Sequence, residues 1–342
     1  MRSPNPIPFE EFMQRALHDP ESGYYSRRIS GVGKRGDFTT APMLSAAPAK
    51  AIAAWATRAL RETGCRDLIE IGPGEGTLAA AVRKCLPWHI RWKTRLHLVE
   101  TSTPLADLQK NRLGGLAVWH TSPEAVLAAC SGRAVIFSNE LVDAFPVRRF
   151  QKSDAGWCEL TVVFDAQGNA TESLMPPAPL PESSGFADSH PPRQWIEVHD
   201  SYGRWLQNWL PHWQAGRMLT IDYGSTADDL YLRRPQGTLR AYLFQQRLVG
   251  QDIYQNPGHQ DLTADVNFTD LMNWSAPWMA KQNLQSFADF LHGHTTPADH
   301  ALTDPQGAGG AFQVLDQTCR NPPCMSDSSE FNHDRSFTCT HS

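Results

Sequence analysis

Short apolar segments alternate with segments of helical spacing between residues 67 and 140. The apolar segments are DLIEI (67–71), LHLVE (96–100), AVWH (117–120) and AVIFSNE (134–140). Helices are predicted between them, at 77–86, 103–113 and 123–129. Because strands that alternate with helices form a parallel sheet with both faces covered, this stretch predicts an α/β fold.

The segments on either side predict how the chain is divided. Helices are expected at 9–18, 49–63 and near 197–210, a small antiparallel meander at about 147–175, and strands at 217–224 and 312–315. The predicted regions are an N-terminal cap (1–48), a core in two parts (49–146 and 195–317), an inserted β meander and loop (147–194), a substrate-side insertion (225–267) and a weakly ordered tail (318–342).

Charge and cysteine content exclude several classes of protein. A net charge of −5 argues against a broad affinity for nucleic acid or for an anionic membrane. The seven cysteines show no paired spacing and the histidines show no zinc-site spacing, so we expect reduced thiols and no metal. The first residues carry no apolar signal core and no Arg-rich leader, so we expect a cytoplasmic protein without a signal or transit peptide.

The sequence EIGPGEGTL follows the first apolar strand and predicts a loop that approaches a ligand closely. A phosphate-binding P-loop would need a lysine after the last glycine, and Thr77 stands there instead. A dinucleotide fingerprint would need a small residue where Thr77 stands, and Glu75 would point an anion at the pyrophosphate. Thr77 therefore excludes a P-loop, and Thr77 and Glu75 together disfavour a dinucleotide-binding loop.

The remaining pattern is an acid, Glu70, followed by Gly72, Gly74 and Gly76, which suits a cofactor with a positive centre: S-adenosylmethionine. Glu70 can interact with the ammonium or sulfonium charge, directly or through water. Glu100, which ends the next strand, can accept both ribose hydroxyl protons. The alternative is a glycine loop that only begins a helix, with a surface acid nearby.

The segment SNELVDAFPVRRF (138–150) follows the fourth strand, where the transferable methyl group would face. Asn139, Glu140 and Asp143 offer an amide and two carboxylates there, and we predict them as catalytic residues. A carboxylate is needed when the acceptor is a guanidinium, because that group stays charged at neutral pH and must be oriented and deprotonated. The alternative is that Asn139 caps the next helix and the acids favour its N-terminus.

Other polar segments are predicted at the same cleft. Trp119 and His120 could border an adenine ring, although a core tryptophan is an equal alternative. Asp222 and Tyr223 in IDYG could line the cleft or form a turn. GDFTTAP (36–42) and QDLTADVNF (260–268) could cover it as lids.

Taken together, these segments resemble the MidA-like methyltransferases, the family of the mitochondrial protein-arginine methyltransferase needed for respiratory complex I assembly. The matching segments cover roughly residues 7 to 316 and are FEEFMQRALHDPESGYYS, GDFTTAP, EIGPGEGTLAA, HLVETSTPLADLQ, SNELVDAFPVRRF, IDYG, GTLRAY and QDLTADVNFTDL. The resemblance implies a class I (Rossmann-like) methyltransferase fold with a seven-stranded, mostly parallel sheet, an N-terminal helical cap and an inserted antiparallel β element.

The resemblance also implies function. It implies S-adenosylmethionine as methyl donor and an arginine side chain of a partner protein, such as a homologue of a respiratory complex I subunit, as acceptor. The cofactor-binding candidates are Glu70, Gly72, Gly74, Gly76, Glu100, Ser102, Trp119 and His120. The absence of a transit peptide fits a bacterial member. The alternatives are a small-molecule methyltransferase, a cofactor-binding assembly factor with little turnover, and an NAD-dependent dehydrogenase, which Glu75 and Thr77 disfavour.

Overall fold

The computed structural model describes residues 6–28, 45–177, 179–187, 189–243 and 246–320. Its α-helices are α1 (Phe9–His18), α2 (Ala47–Thr63), α3 (Thr77–Cys85), α4 (Trp88–Arg91), α5 (Thr103–Leu113), α6 (Pro123–Ala129), α7 (Asp200–Trp209), α8 (Ala227–Arg233), α9 (Phe268–Ser275), α10 (Phe287–Leu291), α11 (His300–Thr303) and α12 (Ala308–Ala311). Shorter helical turns lie at Tyr24–Arg28, Gly114–Leu116, Ser184–Phe186, Leu210–His212, Gly250–Tyr254, Ala276–Trp278 and Pro297–Asp299.

The strands are β1 (Ile7–Pro8), β2 (Asp67–Ile71), β3 (Arg95–Val99), β4 (Val118–His120), β5 (Val135–Asn139), β6 (Arg148–Ser153), β7 (Gly156–Phe164), β8 (Ala170–Met175), β9 (Trp195–Val198), β10 (Arg217–Ser225), β11 (Arg240–Leu243), β12 (Gln246–Leu248), β13 (Asp261–Thr263), β14 (Val266–Asn267), β15 (Met279–Ser286) and β16 (Phe312–Cys319). The strands predicted within residues 67–140 are confirmed, each within a residue or so of its expected bounds.

A mixed sheet of eight strands forms the centre of the molecule, in the order β15-β16-β10-β5-β2-β3-β4, with the short β14 beside β10. β4, β3, β2, β5 and β10 are parallel, and β16 is antiparallel to β10. The chain passes from β2 through β3 to β4 on one side and then returns to β5 on the other side of β2. This change of direction opens a crevice at the carboxyl ends of β2, β3 and β5, where α/β sheets bind their ligands.

Apolar side chains cover both faces of this sheet, as its nearly continuous apolar strands require. One face packs against α2 and α3 through residues such as Ile52, Trp55 and Val82, all at most 1% exposed. The other face packs against α6, α7 and α9 through residues such as Val126, Leu206 and Leu271. The predicted α/β architecture is therefore confirmed.

A second, antiparallel sheet contains β1, β7, β6 and β9, with β8 paired to β7. Helix α1 contributes Phe9, Phe12 and Leu17 to a cluster with Leu160 and Val162 of β7. The antiparallel strands β6, β7 and β8 occupy the region of the predicted meander, and β1 extends their sheet from the N-terminal segment. β11, β12 and β13 form a third sheet of three strands.

Several local predictions differ from the structure. The sequence places residues 176–194 in a loop and begins a helix near 197, whereas Trp195–Val198 is strand β9, paired with β6. Residues 225–267, for which no helix or strand was specified, contain α8 and the three-stranded sheet. Thr318 and Cys319, predicted within the tail, belong to strand β16, and residues 321–342 lie outside the described residues. No described helix has the length and apolarity that crossing a bilayer requires.

Candidate active site

A cavity of about 300 Å³ lies at the carboxyl ends of β2, β3 and β5. Its walls come from the strand ends, from the loop before α3, and from α1 and α7. The lining residues include His18, Tyr25, Glu70, Gly72, Gly74, Glu75, Glu100, Thr121, Ser122, Pro123, Asn139, Glu140, Phe145 and Trp205. The cavity therefore occupies the topological switch point at which the fold favours ligand binding.

The glycine loop between β2 and α3 is built from left-handed backbone. Gly72, Gly74 and Gly76 have φ angles of 66°, 54° and 75°. A Cβ atom at Gly72 would lie 2.7 Å from the Leu141 side chain. Glycine is needed here because side-chain-bearing residues rarely adopt this backbone, and because the main chain must stay bare where it borders the cavity.

Glu70 lies beneath this loop and is 2% exposed. Its Oε2 atom has no hydrogen-bond partner among the described residues, and its side chain borders the cavity. Burial raises the pKa of Glu70 to about 8, although a hydrogen bond from the Ala79 backbone opposes the rise. A buried carboxyl group that borders the cavity and has one oxygen without a described hydrogen-bond partner is suited to a ligand that carries positive charge.

Glu100 borders the cavity one strand further on, and a small network fixes its carboxylate. The Ser102 N–H donates to Oε1 over 2.8 Å, and the Gln109 amide donates to Oε2 over 3.1 Å. Gln109 also donates to the Gly74 carbonyl over 2.6 Å, which ties the acid to the glycine loop. A carboxylate offers about four acceptor positions, so Glu100 can still accept ribose hydroxyl protons beside these donors.

The turn after β5 presents Asn139 and Glu140 to the cavity. Glu140 has a φ of 51°, which is uncommon for a residue with a side chain and marks local strain. The Asn139 amide donates to Glu140 Oε1 over 3.0 Å, and Asn139 Oδ1 has no partner among the residues described. The amide and the carboxylate are therefore held side by side at the wall of the cavity.

Asp222, on the neighbouring strand β10, anchors this turn. Its Oδ2 atom accepts the backbone N–H groups of Leu141, Val142 and Asp143 at 3.1, 2.8 and 3.4 Å. Asp222 is fully buried and does not border the cavity. The interpretation in which Asp222 lines the cleft is therefore wrong, and this carboxylate instead holds the strained backbone that carries Glu140.

Asp143 lies behind the cavity wall and is 4% exposed. Burial and the nearby Asp222 and Asp261 carboxylates raise the pKa of Asp143 well above its usual range. Burial also raises the pKa of Asp222, to about 7, but the backbone N–H groups that it accepts oppose the rise, so we assign the negative charge of this pair to Asp222 and the proton to Asp143.

The structure thus brings together six of the residues predicted from sequence at the cavity wall: Glu70, Gly72, Gly74, Glu100, Asn139 and Glu140. The other five, Gly76, Ser102, Trp119, His120 and Asp143, do not border it. Trp119 donates to Gln109 Oε1 over 2.9 Å, and His120 contacts His97 over 3.0 Å between ring nitrogens. The wall after β4 is formed instead by Thr121, Ser122 and Pro123.

The two predicted lids have different outcomes. GDFTTAP (36–42) lies outside the described residues. Residues 260–268 are mostly buried behind the wall, and Asp261 accepts a hydrogen bond from the Tyr25 hydroxyl over 2.8 Å. This second segment supports the cavity from behind and does not cover it.

Several residues that line or support the cavity were not predicted from the sequence. His18, Tyr25, Phe145 and Trp205 border the cavity, and Gln109 supports it while fully buried. A polar residue on the apolar face of α5 was the available signal for Gln109. No comparable signal marks Trp205, because its approach depends on how α7 packs.

One group of potential metal ligands exists in the described ranges: ligand atoms of Asp67, His97 and Cys130 lie within 4.8 Å of one another. However, Arg95 contacts both Asp67 oxygens, at 2.7 and 2.8 Å. Its guanidinium charge already neutralises the carboxylate and would repel a divalent cation. The geometry therefore favours a structural ion pair at this place.

Comparison with known proteins adds independent findings. A family model described as "Putative S-adenosyl-L-methionine-dependent methyltransferase" matches residues 51–283. The chain is 27% identical over 301 residues to "Protein arginine methyltransferase NDUFAF7, mitochondrial" from Xenopus tropicalis, covering 78% of this chain and 67% of that one. It is 28% identical over 306 residues to the Caenorhabditis elegans homologue of that protein, covering 78% of this chain and 68% of that one.

Solved structures agree with these matches. A COG1565 superfamily member from Burkholderia thailandensis, bound to S-adenosyl-homocysteine, is 27% identical with a TM-score of 0.79, covering 92% of this chain and 88% of that one. A native structure of a COG1565 protein from the same organism is 26% identical with a TM-score of 0.77, covering 92% and 87%.

The family match spans the glycine loop, the Glu100 strand end and the Asn139–Glu140 turn, which are the parts that build the cavity. The unused Glu70 oxygen and the bare glycine backbone fit a sulfonium nucleoside. From this agreement of family and geometry, the chain belongs to the S-adenosylmethionine-dependent methyltransferases, with S-adenosylmethionine as its cofactor.

Proposed function

We propose that this methyltransferase modifies an arginine side chain of a partner protein. The observation that carries the proposal is the Glu140 carboxylate, held beside the Asn139 amide at the wall of the cofactor cavity. A guanidinium needs such a carboxylate, and relatives of this chain are named protein arginine methyltransferases. We further propose that the fold is the class I methyltransferase fold, with the N-terminal segment as its cap.

Different residues of the cavity would bind the cofactor and take part in the methyl transfer. The glycine loop and Glu100 would hold the nucleoside, and Glu70 would balance its positive charge. When bound, S-adenosylmethionine supplies a methyl group on a positively charged sulfur, and that C–S bond breaks as the acceptor nitrogen bonds to the methyl carbon. Glu140 would orient the guanidinium and accept the proton that the methylated nitrogen releases.

Labelling tests the acceptor directly. The protein is incubated with a cell lysate and donor labelled in its methyl group, and labelled protein is then hydrolysed to amino acids. We expect the label in methylated arginine. Label in small metabolites would indicate a small-molecule methyltransferase, label in another amino acid would contradict arginine, and no label anywhere would favour an assembly factor.

Asp222→Asn is expected to lower the turnover number by about tenfold while changing cofactor affinity little, because the turn beneath Glu140 loses its charged anchor. Steady-state kinetics and calorimetry measure the two effects. Asp270→Asn is the matched control, since Asp270 is equally buried but binds Ser183 and Ser184. Equal losses in both variants would show that only general stability had changed.

Glu70 is expected to make cofactor binding depend on pH. With its pKa near 8, Glu70 is mostly protonated at neutral pH in the free protein. A cationic cofactor favours the carboxylate, so binding lowers that pKa and releases a proton. Affinity should therefore rise on the order of tenfold between about pH 6.5 and 8.5.

Calorimetry in buffers of different ionisation enthalpy measures this proton release. Glu70→Gln should abolish the release and flatten the pH dependence, because glutamine carries no titrating proton. A wild-type protein that binds the cofactor without releasing protons at neutral pH would contradict the role given to Glu70.

A further inference from the structure

Two tryptophans are exposed together on the turn that contains α4. Trp88 is 73% exposed and Trp92 is 89% exposed. Residues four apart on a helical turn share one face, so both indoles project on the same side. Tryptophan is mainly buried in folded proteins, and an exposed pair indicates a surface that binds a membrane or another molecule.

Positive charge surrounds these indoles. Residues 76–99 contain five cationic side chains and no Asp or Glu: Arg83, Lys84, Arg91, Lys93 and Arg95, of which Arg95 is already paired with Asp67. Arg91 Nη1 donates to the Lys84 carbonyl over 3.4 Å, and Arg61 Nη2 contacts His89 Nε2 over 2.8 Å. We call Trp88, Trp92, Arg61, Lys84, Arg91 and Lys93 the indole patch. Its local charge is opposite to the net charge of the chain, −5.

The indole patch lies at the end of the sheet opposite the cavity. Residues 88–93 of the patch come just before Arg95, the first residue of β3, whereas Glu100 follows the last residue of that strand. Five residues of parallel strand span about 17 Å. A partner that covers the indole patch would therefore leave the cofactor cavity open.

We propose that the indole patch docks this protein on the surface of an anionic phospholipid bilayer. Indoles with adjacent Lys and Arg side chains are the combination that binds the headgroup region of membranes. Leu116 and Val118, 51% and 49% exposed, add aliphatic surface at the start of β4, the strand next to β3, which suits acyl chains better than nucleotide bases. The docking is peripheral, and it departs from the expectation drawn from net charge.

Sedimentation of the full chain with phospholipid vesicles tests this proposal. Vesicles with about 30% phosphatidylglycerol should bind the protein at least about tenfold more tightly than pure phosphatidylcholine vesicles. Raising salt from about 50 to about 500 mM should weaken the binding. Trp88→Ala/Trp92→Ala and Arg91→Glu/Lys93→Glu should each lower the affinity about tenfold, and both should bind S-adenosylmethionine normally.

Matched controls separate the indole patch from general surface effects. Leu232→Ala removes another exposed apolar side chain, 82% exposed, and Arg247→Glu/Lys281→Glu makes the same charge change at other exposed positions. Both should bind vesicles as the wild type does. Unchanged binding by the two patch variants, equal binding to neutral vesicles, or binding of single-stranded RNA without vesicle binding would overturn the proposal.

Discussion

Gly74→Val should abolish S-adenosylmethionine binding, with the dissociation constant raised at least about 100-fold. Gly74 has a φ of 54° and borders the cavity. A β-branched side chain both strains this left-handed backbone and places methyl groups where the cofactor must approach the main chain. Isothermal calorimetry with S-adenosylmethionine or S-adenosylhomocysteine measures the loss.

Gly64→Val provides the matched control for backbone strain. Gly64 has a similar φ of 67° at the end of α2, with no atom beyond its chain neighbours within 4 Å of the position that a Cβ would take, and it does not border the cavity. This variant should lose stability by a similar mechanism but keep its cofactor affinity. If Gly74→Val bound the cofactor as the wild type does, the loop would have no role in binding.

Glu140→Gln should lower the turnover number about 100-fold while changing S-adenosylhomocysteine affinity less than about threefold, because a proton acceptor is removed and the shape is kept. The Asn139 contact survives, since the glutamine oxygen can still accept it. Single-turnover assays with an arginine-containing substrate protein separate the chemical step from binding.

Glu75→Gln is the control for a carboxylate in the same cavity. Glu75 also borders the cavity but pairs with Arg112 over 3.1 Å, away from the turn after β5. Its replacement should leave turnover within about threefold of wild type. A wild-type rate in Glu140→Gln would reduce that residue to a structural part of the turn and remove the main support for an arginine acceptor.

The central strands were predictable because the apolar pattern that indicates each of them lies within its own segment. β2, β3 and β5 are apolar runs buried on both faces, and each run can be recognised without knowing its neighbours. β9 was missed because its four residues become a strand only by pairing with β6, far away in sequence. β15 was missed because it is a largely polar strand at the sheet edge, without the apolar signal of the core.

The site prediction was correct for residues at or just after the ends of β2, β3 and β5, and it failed in β4 and further along the turn after β5. Glu70, Glu100 and Asn139 occupy strand ends or the residues next to them, where topology alone directs them to the crevice. Trp119 lies within β4 and Asp143 lies four residues after β5, so the direction of each side chain depends on local backbone and packing, and neither side chain borders the cavity. The anchoring role of Asp222 required knowing that β10 and β5 are neighbours.

A crystal structure with S-adenosylhomocysteine bound tests the assignment of this site most directly. We expect the ribose hydroxyls to contact the Glu100 carboxylate, the amino-acid end to lie over Gly72 and Gly74, and the sulfur to face the Asn139–Glu140 turn. A cofactor lodged elsewhere, or one whose sulfur points away from Glu140, would contradict this assignment.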